Sequence, residues 1–314
     1  MAFEPPRRLV RALGETAPDG DDWLAKLPEV VERAVARREL AVERVQVPGG
    51  RSSLVVLVRT AEGASAVLKL APRRARPESE RAALAHWGGR GAVQLRDVEG
   101  GGGTAAGGSR GSRGSTRVCC CWSGCIRTCR CGRCRRPRRC WRPRGTLRRL
   151  WVEPPASHPF ETVAERTGRQ AEAMRAGAAA DAEIAPLVDA ALAVRAELLA
   201  EPPERRLLHG TFRQSKVLAG DRMPWLAVGP DPVVGESAFD LARLVRDRVE
   251  DLIAQPSGAS TTRRRIKRLA ESLEVDQERL RGWTLFRAVE SGVRARRVGR
   301  EQDAELLLEF AGWL

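Results

Sequence analysis

The sequence predicts an α+β fold of two lobes, a small strand-rich lobe followed by a larger and mainly helical one. Three strand-like apolar runs lie within residues 43–70 and are separated by glycine and serine. Between residues 184 and 253, apolar side chains recur instead at the three- and four-residue spacing of helices. A chain of 314 residues is long enough to bury a core in each lobe.

The first lobe is expected to span residues 1–99. Residues 1–40 alternate leucine and valine with charged residues in a pattern that favours helices. Strands are predicted at Glu43–Val47, Leu54–Arg59 and Ala66–Leu70, and a helix at Pro77–Trp87. This order predicts a small antiparallel sheet accompanied by helices.

The second lobe is expected to span residues 146–314. Helical spacing appears in residues 184–199, 239–253 and 306–314. Two short apolar strands are predicted between the first two helical blocks, within Leu207–Val228.

Residues 100–145 differ in composition from both lobes. Residues 101–150 carry fourteen arginines and no acid, and all eight cysteines lie between Cys119 and Cys140. Such a glycine-, arginine- and cysteine-rich segment lacks the periodicity of a strand or helix, so we expect it to be disordered and the first sheet to lose an element. Although the chain has a net charge of +15, the rest of it is close to neutral.

Composition also limits the location and partners of the protein. The sequence has no apolar run of membrane-spanning length, and its first residues lack an apolar signal core. We therefore expect a cytoplasmic protein with neither a membrane nor a specific nucleic acid as its partner.

Residues 207–240, LLHGTFRQSKVLAGDRMPWLAVGPDPVVGESAFD, have the layout of a phosphotransferase core. Phosphoryl transfer needs positioned phosphates, neutralised charge and a carboxylate that orients the acceptor hydroxyl. Magnesium needs hard oxygen ligands. The usual order on such a core is His-Gly-Asp, four residues, Asn, and a second Asp after the next strand.

Several segments resemble the aminoglycoside phosphotransferase family, in particular its streptomycin 6-phosphotransferase and hydroxyurea phosphotransferase branch. These segments are AVLKLA, ERAALAHWGGRGAV, GTLRRLWVEPP and VLAGDRMPWLAVGPDPVVGESAFDLARLVRDR. The resemblance covers about residues 1–99 and 145–314. It implies a two-lobed protein-kinase-like fold, ATP and magnesium as cofactors, and an aminoglycoside or hydroxyurea as the small-molecule substrate.

The resemblance also implies roles for individual residues. Lys69 corresponds to the strand lysine that holds the nucleotide phosphates, and Glu80 to its partner on the following helix. His209 corresponds to a structural residue of the catalytic loop. A solvent-facing strand lysine and a solvated helix face are the plain alternatives for Lys69 and Glu80.

Three positions of the core depart from the family pattern. Thr211 stands where the base-like Asp is expected, and its hydroxyl is not a proton acceptor near neutral pH. Lys216 and Gly229 stand at the two metal-ligand positions, where a fixed positive charge opposes magnesium and a hydrogen atom offers no ligand. We therefore expect magnesium binding to be impaired and activity to be weak or absent.

The cysteine-rich segment allows two interpretations. Cys125, Cys129, Cys131 and Cys134 have spacings that zinc could use, and the flanking arginines suit a phosphate backbone. Alternatively, an out-of-frame stretch of a GC-rich coding sequence would give the same mixture in place of the strand and hinge between the lobes. We favour the compensated frameshift.

Three functions therefore remain open from the sequence. The first is a phosphotransferase with weak or no remaining activity. The second is a non-catalytic nucleotide or ligand binder, in which Lys69 and Lys216 hold ATP phosphates without a metal. The third, less favoured, is a zinc- or nucleic-acid-binding protein.

Overall fold

The computed structural model describes residues 4–15, 22–96, 118–123, 143–220 and 222–314. The chain divides into two compact units. Unit 1 comprises Met1–Cys129 together with Ala219–Leu226, and unit 2 comprises Arg130–Leu218 together with Ala227–Leu314. The short segment 219–226, which we expected in the second lobe, therefore belongs with unit 1.

Unit 1 contains a five-stranded sheet and four helices in its described part. The helices are α1 (Arg7–Gly14), α2 (Asp22–Ala25), α3 (Leu27–Ala36) and α4 (Pro77–Trp87). The strands are β1 (Ala41–Val45), β2 (Leu54–Arg59), β3 (Ser65–Leu70), β4 (Gln94–Arg96) and β5 (Val118–Ser123). The strand order is β1-β2-β3-β5-β4, and neighbouring strands pair antiparallel.

The core of unit 1 lies between this sheet and the N-terminal helices. Leu54, Val56 and Val58 occupy alternate positions of β2 and are completely buried, because alternate side chains of a strand point to the same face. They belong to one apolar cluster with residues such as Leu9 of α1 and Leu27 of α3. The predicted strand over residues 54–59 is confirmed in its bounds, and so is the helix over residues 77–87.

Strand β5 corrects one expectation. We expected residues 100–145 to contribute no strand, yet Val118–Ser123 pairs with both β3 and β4. The run VCCCWS contains no proline, so each residue can donate a backbone N–H, and valine and tryptophan favour strands. Residues 143–145 begin the helix Pro143–Leu150, and the other residues of this segment, with their expected disorder and the cysteines Cys125 to Cys140, lie outside the described residues.

Unit 2 is mainly helical. Its helices are α5 (Pro143–Leu150), α6 (Val163–Ala180), α7 (Ala185–Ala200), α8 (Ser237–Val245), α9 (Val249–Ile253), α10 (Gly258–Leu273), α11 (Gln277–Arg297) and α12 (Glu301–Ala311). Three short strands accompany them, β6 (Arg206–Leu208), β7 (Val217–Leu218) and β9 (Val233–Gly235), and a fourth strand, β8 (Leu226–Ala227), crosses the boundary in sequence between the two units. Strand β6 pairs antiparallel with β9, and β7 pairs with β8.

Helix α11 forms the centre of unit 2. Trp283 packs edge-on against Phe239 of α8, with ring centroids 5.1 Å apart, and against Phe286 at 5.9 Å. Glu236, just before α8, accepts hydrogen bonds from the Trp283 indole at 2.6 Å and from the Arg279 guanidinium at 2.6 and 2.7 Å. Because Glu236 is buried, these bonds offset the cost of removing its charge from water and fix α8 against α11.

The predicted α+β class is confirmed by this arrangement. None of the helices in the described ranges combines the length and the apolar character needed to cross a membrane.

Candidate active site

Lys69 and Glu80 form a buried ion pair within unit 1. Lys69 lies on β3, opposite Val55 of β2, and Glu80 lies in the first turn of α4. The Lys69 Nζ donates a hydrogen bond to the Glu80 Oε2, and the two side chains are 10% and 5% exposed. The alternatives of a solvent-facing lysine and a solvated helix face are therefore wrong for these two residues.

Glu80 has unused hydrogen-bonding capacity. Within the described part of the chain, no donor contacts its buried Oε1 atom. A buried carboxylate oxygen without a donor is costly, and evolution usually tolerates such a group only where it has a role. The two residues thus form a buried ion pair. In such a pair the carboxylate can hold the lysine ammonium in a position to contact phosphate oxygens.

The loop after β6 is held by one buried carboxylate. Asp240 of α8 is completely buried, and it accepts the backbone N–H of His209 on Oδ2 and that of Gly210 on Oδ1, both at 2.9 Å. Burial raises the pKa of Asp240, whereas the nearby Arg287 guanidinium and these N–H donors lower it. Arg287 also donates to the carbonyls of Gly210 and Phe239, each at 2.8 Å.

The surroundings of the His209 side chain indicate a structural role. It is completely buried, and its Nε2 lies 3.2 Å from the Val228 carbonyl oxygen. A carbonyl can only accept, so Nε2 carries the proton and Nδ1 is the acceptor for the backbone N–H of Thr211 at 3.4 Å. This side chain crosslinks the loop and is not placed to meet a substrate.

The three divergent positions meet at one carbonyl group. The Lys216 ammonium donates to the Gly229 carbonyl oxygen at 2.9 Å, and the Thr211 hydroxyl lies 3.4 Å from the same oxygen. The spacing in sequence predicted that these positions belong together, and the fold of unit 2 brings them together.

These groups do not fit a magnesium ion. An ammonium, a hydroxyl and a backbone carbonyl stand where two carboxylates and an amide are expected, and none of them supplies negative charge. A divalent cation beside the Lys216 ammonium would also experience Coulomb repulsion. The next carboxylate in the chain, Asp231, does not compensate, because its Oδ1 accepts a hydrogen bond from Arg166 at 3.2 Å.

Arg166 and Asp247 make contacts in the site that the sequence did not predict. Arg166 of α6 is buried and donates to the carbonyls of Asp231 and Pro232 at 3.0 and 3.1 Å. Asp247 accepts the backbone N–H of Gln214 at 2.6 Å. Burial raises the pKa of Asp247. Arg166 belongs to no motif, and the resemblance of the segment around Asp247 does not indicate this hydrogen bond, so only the fold could identify these contacts.

We expect Gly210→Ala to lower the free energy of unfolding by more than about 2 kcal/mol. Gly210 has a φ of +75°, and a Cβ atom there would lie 1.9 Å from the Asp231 carbonyl oxygen. Urea denaturation should detect the loss. Gly63→Ala is a matched control, because Gly63 also has a positive φ (+76°) but has open space around it. Equal losses in the two variants would contradict a specific close approach at Gly210.

Known proteins share this fold. A ternary complex of a thermostable mutant of aminoglycoside phosphotransferase APH(4)-Ia with ADP and hygromycin B matches with a TM-score of 0.57 at 13% identity, covering 90% of this chain and 96% of that one. The choline kinase LicA from Streptococcus pneumoniae matches with a TM-score of 0.55 at 10% identity, covering 91% and 99%. The predicted protein-kinase-like, two-lobed fold is confirmed by these likenesses.

Several named proteins are more similar to this chain in sequence than these two solved structures are. The streptomycin 6-kinase of Streptomyces glaucescens is 32% identical over 290 residues, which cover 90% of this chain and 86% of the relative. A hydroxyurea phosphotransferase of Kitasatospora aureofaciens is 32% identical over 288 residues, covering 87% and 74%.

The family described as "Aminoglycoside/hydroxyurea antibiotic resistance kinase" matches residues 38–104 and 143–299. The match thus omits residues 105–142, most of the segment whose composition sets it apart. The match spans more than half of the chain, and it agrees with the resemblance carried by the motifs. This chain belongs to the aminoglycoside/hydroxyurea antibiotic resistance kinase family.

Proposed function

We propose that this chain is a phosphotransferase-type protein that binds ATP through Lys69 and Glu80 and has weak or no phosphoryl-transfer activity. The buried ion pair in unit 1 supports nucleotide binding, because it presents an ammonium whose position is fixed by a carboxylate. A solved structure of the same fold contains ADP, which also supports a nucleotide as the ligand.

The main support for reduced activity is the hydrogen bond from Lys216 to the Gly229 carbonyl. This contact supports a positive charge at the expected metal site, and Thr211 offers no base there. Loss of a general base typically lowers rates on the order of 10²- to 10⁴-fold, and loss of metal stabilisation lowers them further. Such effects need not add, but together they leave little turnover.

The substrate class follows from the relatives. Their names specify streptomycin and hydroxyurea, so an aminoglycoside of the streptomycin type or hydroxyurea is the substrate to test. If the protein transfers phosphate at all, the product is the drug phosphorylated on a hydroxyl group. A purely non-catalytic nucleotide binder is the second candidate, and the Lys216–Gly229 contact favours it.

We expect the protein to bind ATP with an affinity that changes less than about threefold between millimolar magnesium and EDTA, because the metal-ligand positions are substituted. Isothermal titration calorimetry measures this directly. Turnover assays with streptomycin and with hydroxyurea, each compared with ATP alone, separate weak transfer from pure binding. Strong magnesium-dependent turnover of either drug would refute the proposal.

We expect Lys69→Met to weaken ATP binding on the order of tenfold to a hundredfold, the loss typical of one hydrogen bond to a charged group. Lys26→Met removes the same charge from an exposed position and is the matched control. Because Lys69→Met leaves Glu80 buried without its cation, the double variant with Glu80→Met should also be measured. Unchanged affinity in a folded double variant would exclude Lys69 as a nucleotide ligand.

A further inference from the structure

The loop between β1 and β2 lies near Lys69 in unit 1. This β1–β2 loop comprises residues 46–53, which connect the last residue of β1 to the first residue of β2. Lys69 pairs across the sheet with Val55, the second residue of β2. A strand advances about 3.3 Å per residue, so the last loop residue, Ser53, lies about 7 Å along the strand from the Lys69 position. The β1–β2 loop therefore borders the place where the nucleotide is proposed to bind.

Helix α1 lies on the other face of this sheet. Leu9 and Leu13 of α1 belong to the apolar cluster that also contains Leu68 and Leu70 of β3. Lys69 lies between these two β3 leucines, so its side chain points to the opposite face, towards α4. Any effect of α1 on a ligand at Lys69 is therefore indirect, and the loop at the end of the sheet is the route that the contacts provide.

Two contacts hold the β1–β2 loop against α1. Arg51 of the loop donates a hydrogen bond to the Oε2 atom of Glu15, the residue that follows α1, at 2.5 Å. Gly49 of the loop lies against Pro6, the residue that precedes α1. A Cβ atom at Gly49 would lie 3.3 Å from the Pro6 Cγ atom, and the φ of Gly49 is +74°. The loop is therefore attached at both ends of α1.

The ion pair between Arg51 and Glu15 is partly shielded from water. The Glu15 side chain is 13% exposed and the Arg51 side chain is 43% exposed. A carboxylate at the C-terminal end of a helix is unfavourable for the helix dipole, so a nearby cation stabilises it. Arg11 also approaches Glu15, but at 3.9 Å, so Arg51 is the closer of these two cations. Because Arg51 and Glu15 are 36 residues apart in sequence, their contact fixes the loop to the helix and is not a local helix pair.

We propose that Glu15 and Arg51 are positioning residues for the nucleotide, an inference that rests on the proposed binding of ATP through Lys69. Helix α1 holds the β1–β2 loop in one position at the border of the site, so a bound triphosphate meets a loop that is already ordered. Ordering a loose loop on binding would cost conformational entropy and lower the affinity. Neither residue contacts the nucleotide, because the Arg51 guanidinium is turned towards α1.

The first measurement is the affinity of the full chain for ATP, determined by isothermal titration calorimetry. We expect Glu15→Gln and Arg51→Gln each to weaken binding about threefold to fivefold, the upper part of the range that a partly exposed ion pair contributes. The double variant should bind no more weakly than either single variant, because both substitutions break the same contact. Arg51→Lys keeps the charge and should bind within about twofold of the wild type. Glu29→Gln removes an exposed partner of Arg33 on α3 and, as the matched control, should bind as the wild type does.

The second measurement needs no nucleotide. Trypsin cleaves after an arginine whose side chain and backbone can enter the protease, so cleavage after Arg51 reports release of the loop. Its initial rate, followed by mass spectrometry, should rise about threefold or more in Glu15→Gln and stay unchanged in Glu29→Gln. A merely structural role of Glu15 would lower the melting temperature but would change neither this rate nor the ATP affinity measured well below that temperature.

The outcomes separate this inference from the proposed function. Wild-type protein that binds no ATP would overturn both. If the wild type binds ATP, three results would overturn the inference alone: Glu15→Gln binds ATP as tightly or more tightly, the losses of the two single variants add in the double variant, or cleavage after Arg51 is not accelerated. Tighter binding by Glu15→Gln would identify Arg51 as a direct phosphate ligand that Glu15 holds back.

Discussion

Replacing Asp240 with alanine is expected to lower the free energy of unfolding of unit 2 by roughly 3 to 5 kcal/mol. The substitution leaves the backbone N–H groups of His209 and Gly210 without an acceptor inside a completely buried region. It also removes a negative charge that acts on the buried Arg287 guanidinium. Urea denaturation followed by tryptophan fluorescence measures the loss, since Trp283 lies in the same core.

Two further variants make this expectation specific. Asp240→Asn keeps one carbonyl oxygen and should lose less than the alanine variant. Asp251→Ala removes an acid whose side chain is 48% exposed and which pairs with Arg248 at the surface, so its cost should stay below about 1 kcal/mol. If Asp240→Ala cost no more than Asp251→Ala, the loop would not depend on this carboxylate.

The importance of Asp240 shows what the sequence alone could provide. Asp240 is the last residue of the core segment 207–240, but its two backbone acceptor roles depend on where α8 packs. By contrast, the strand at residues 54–59 and the helix at residues 77–87 were predictable, because their apolar periodicity and turn residues are local signals.

Some other features of the chain were not predictable from the sequence for a similar reason. Arg166 lies on a helix whose sequence resembles an ordinary helix surface, and only tertiary packing brings it against the Asp231 and Pro232 carbonyls. Strand β5 was missed because the interpretation of its segment relied on the overall composition. Its six residues contain no proline, so their backbone groups can still pair with the neighbouring strands. Lys69 and Glu80 were identified because the family resemblance, not periodicity, singled them out.

Restoring oxygen ligands should restore a metal site. We expect the triple variant Thr211→Asp, Lys216→Asn, Gly229→Asp to bind ATP at least tenfold more tightly in millimolar magnesium than in EDTA, which corresponds to about 1.4 kcal/mol. The variant exchanges an ammonium for an amide and adds two carboxylates, the ligands that magnesium prefers. Gly229 has a φ of +61°, a conformation that aspartate and asparagine tolerate better than other side chains, so the backbone can accept the change.

A single substitution separates the two physical causes. Lys216→Met removes the repelling charge and the bond to the Gly229 carbonyl, but it supplies no ligand. If repulsion alone excludes magnesium, this variant should already gain metal dependence; if missing ligands dominate, only the triple variant should. A triple variant that folds with a wild-type melting temperature and still shows no magnesium dependence would mean that these three positions do not form the metal site of this chain. Metal-dependent binding is the decisive readout, because it requires no drug and no turnover.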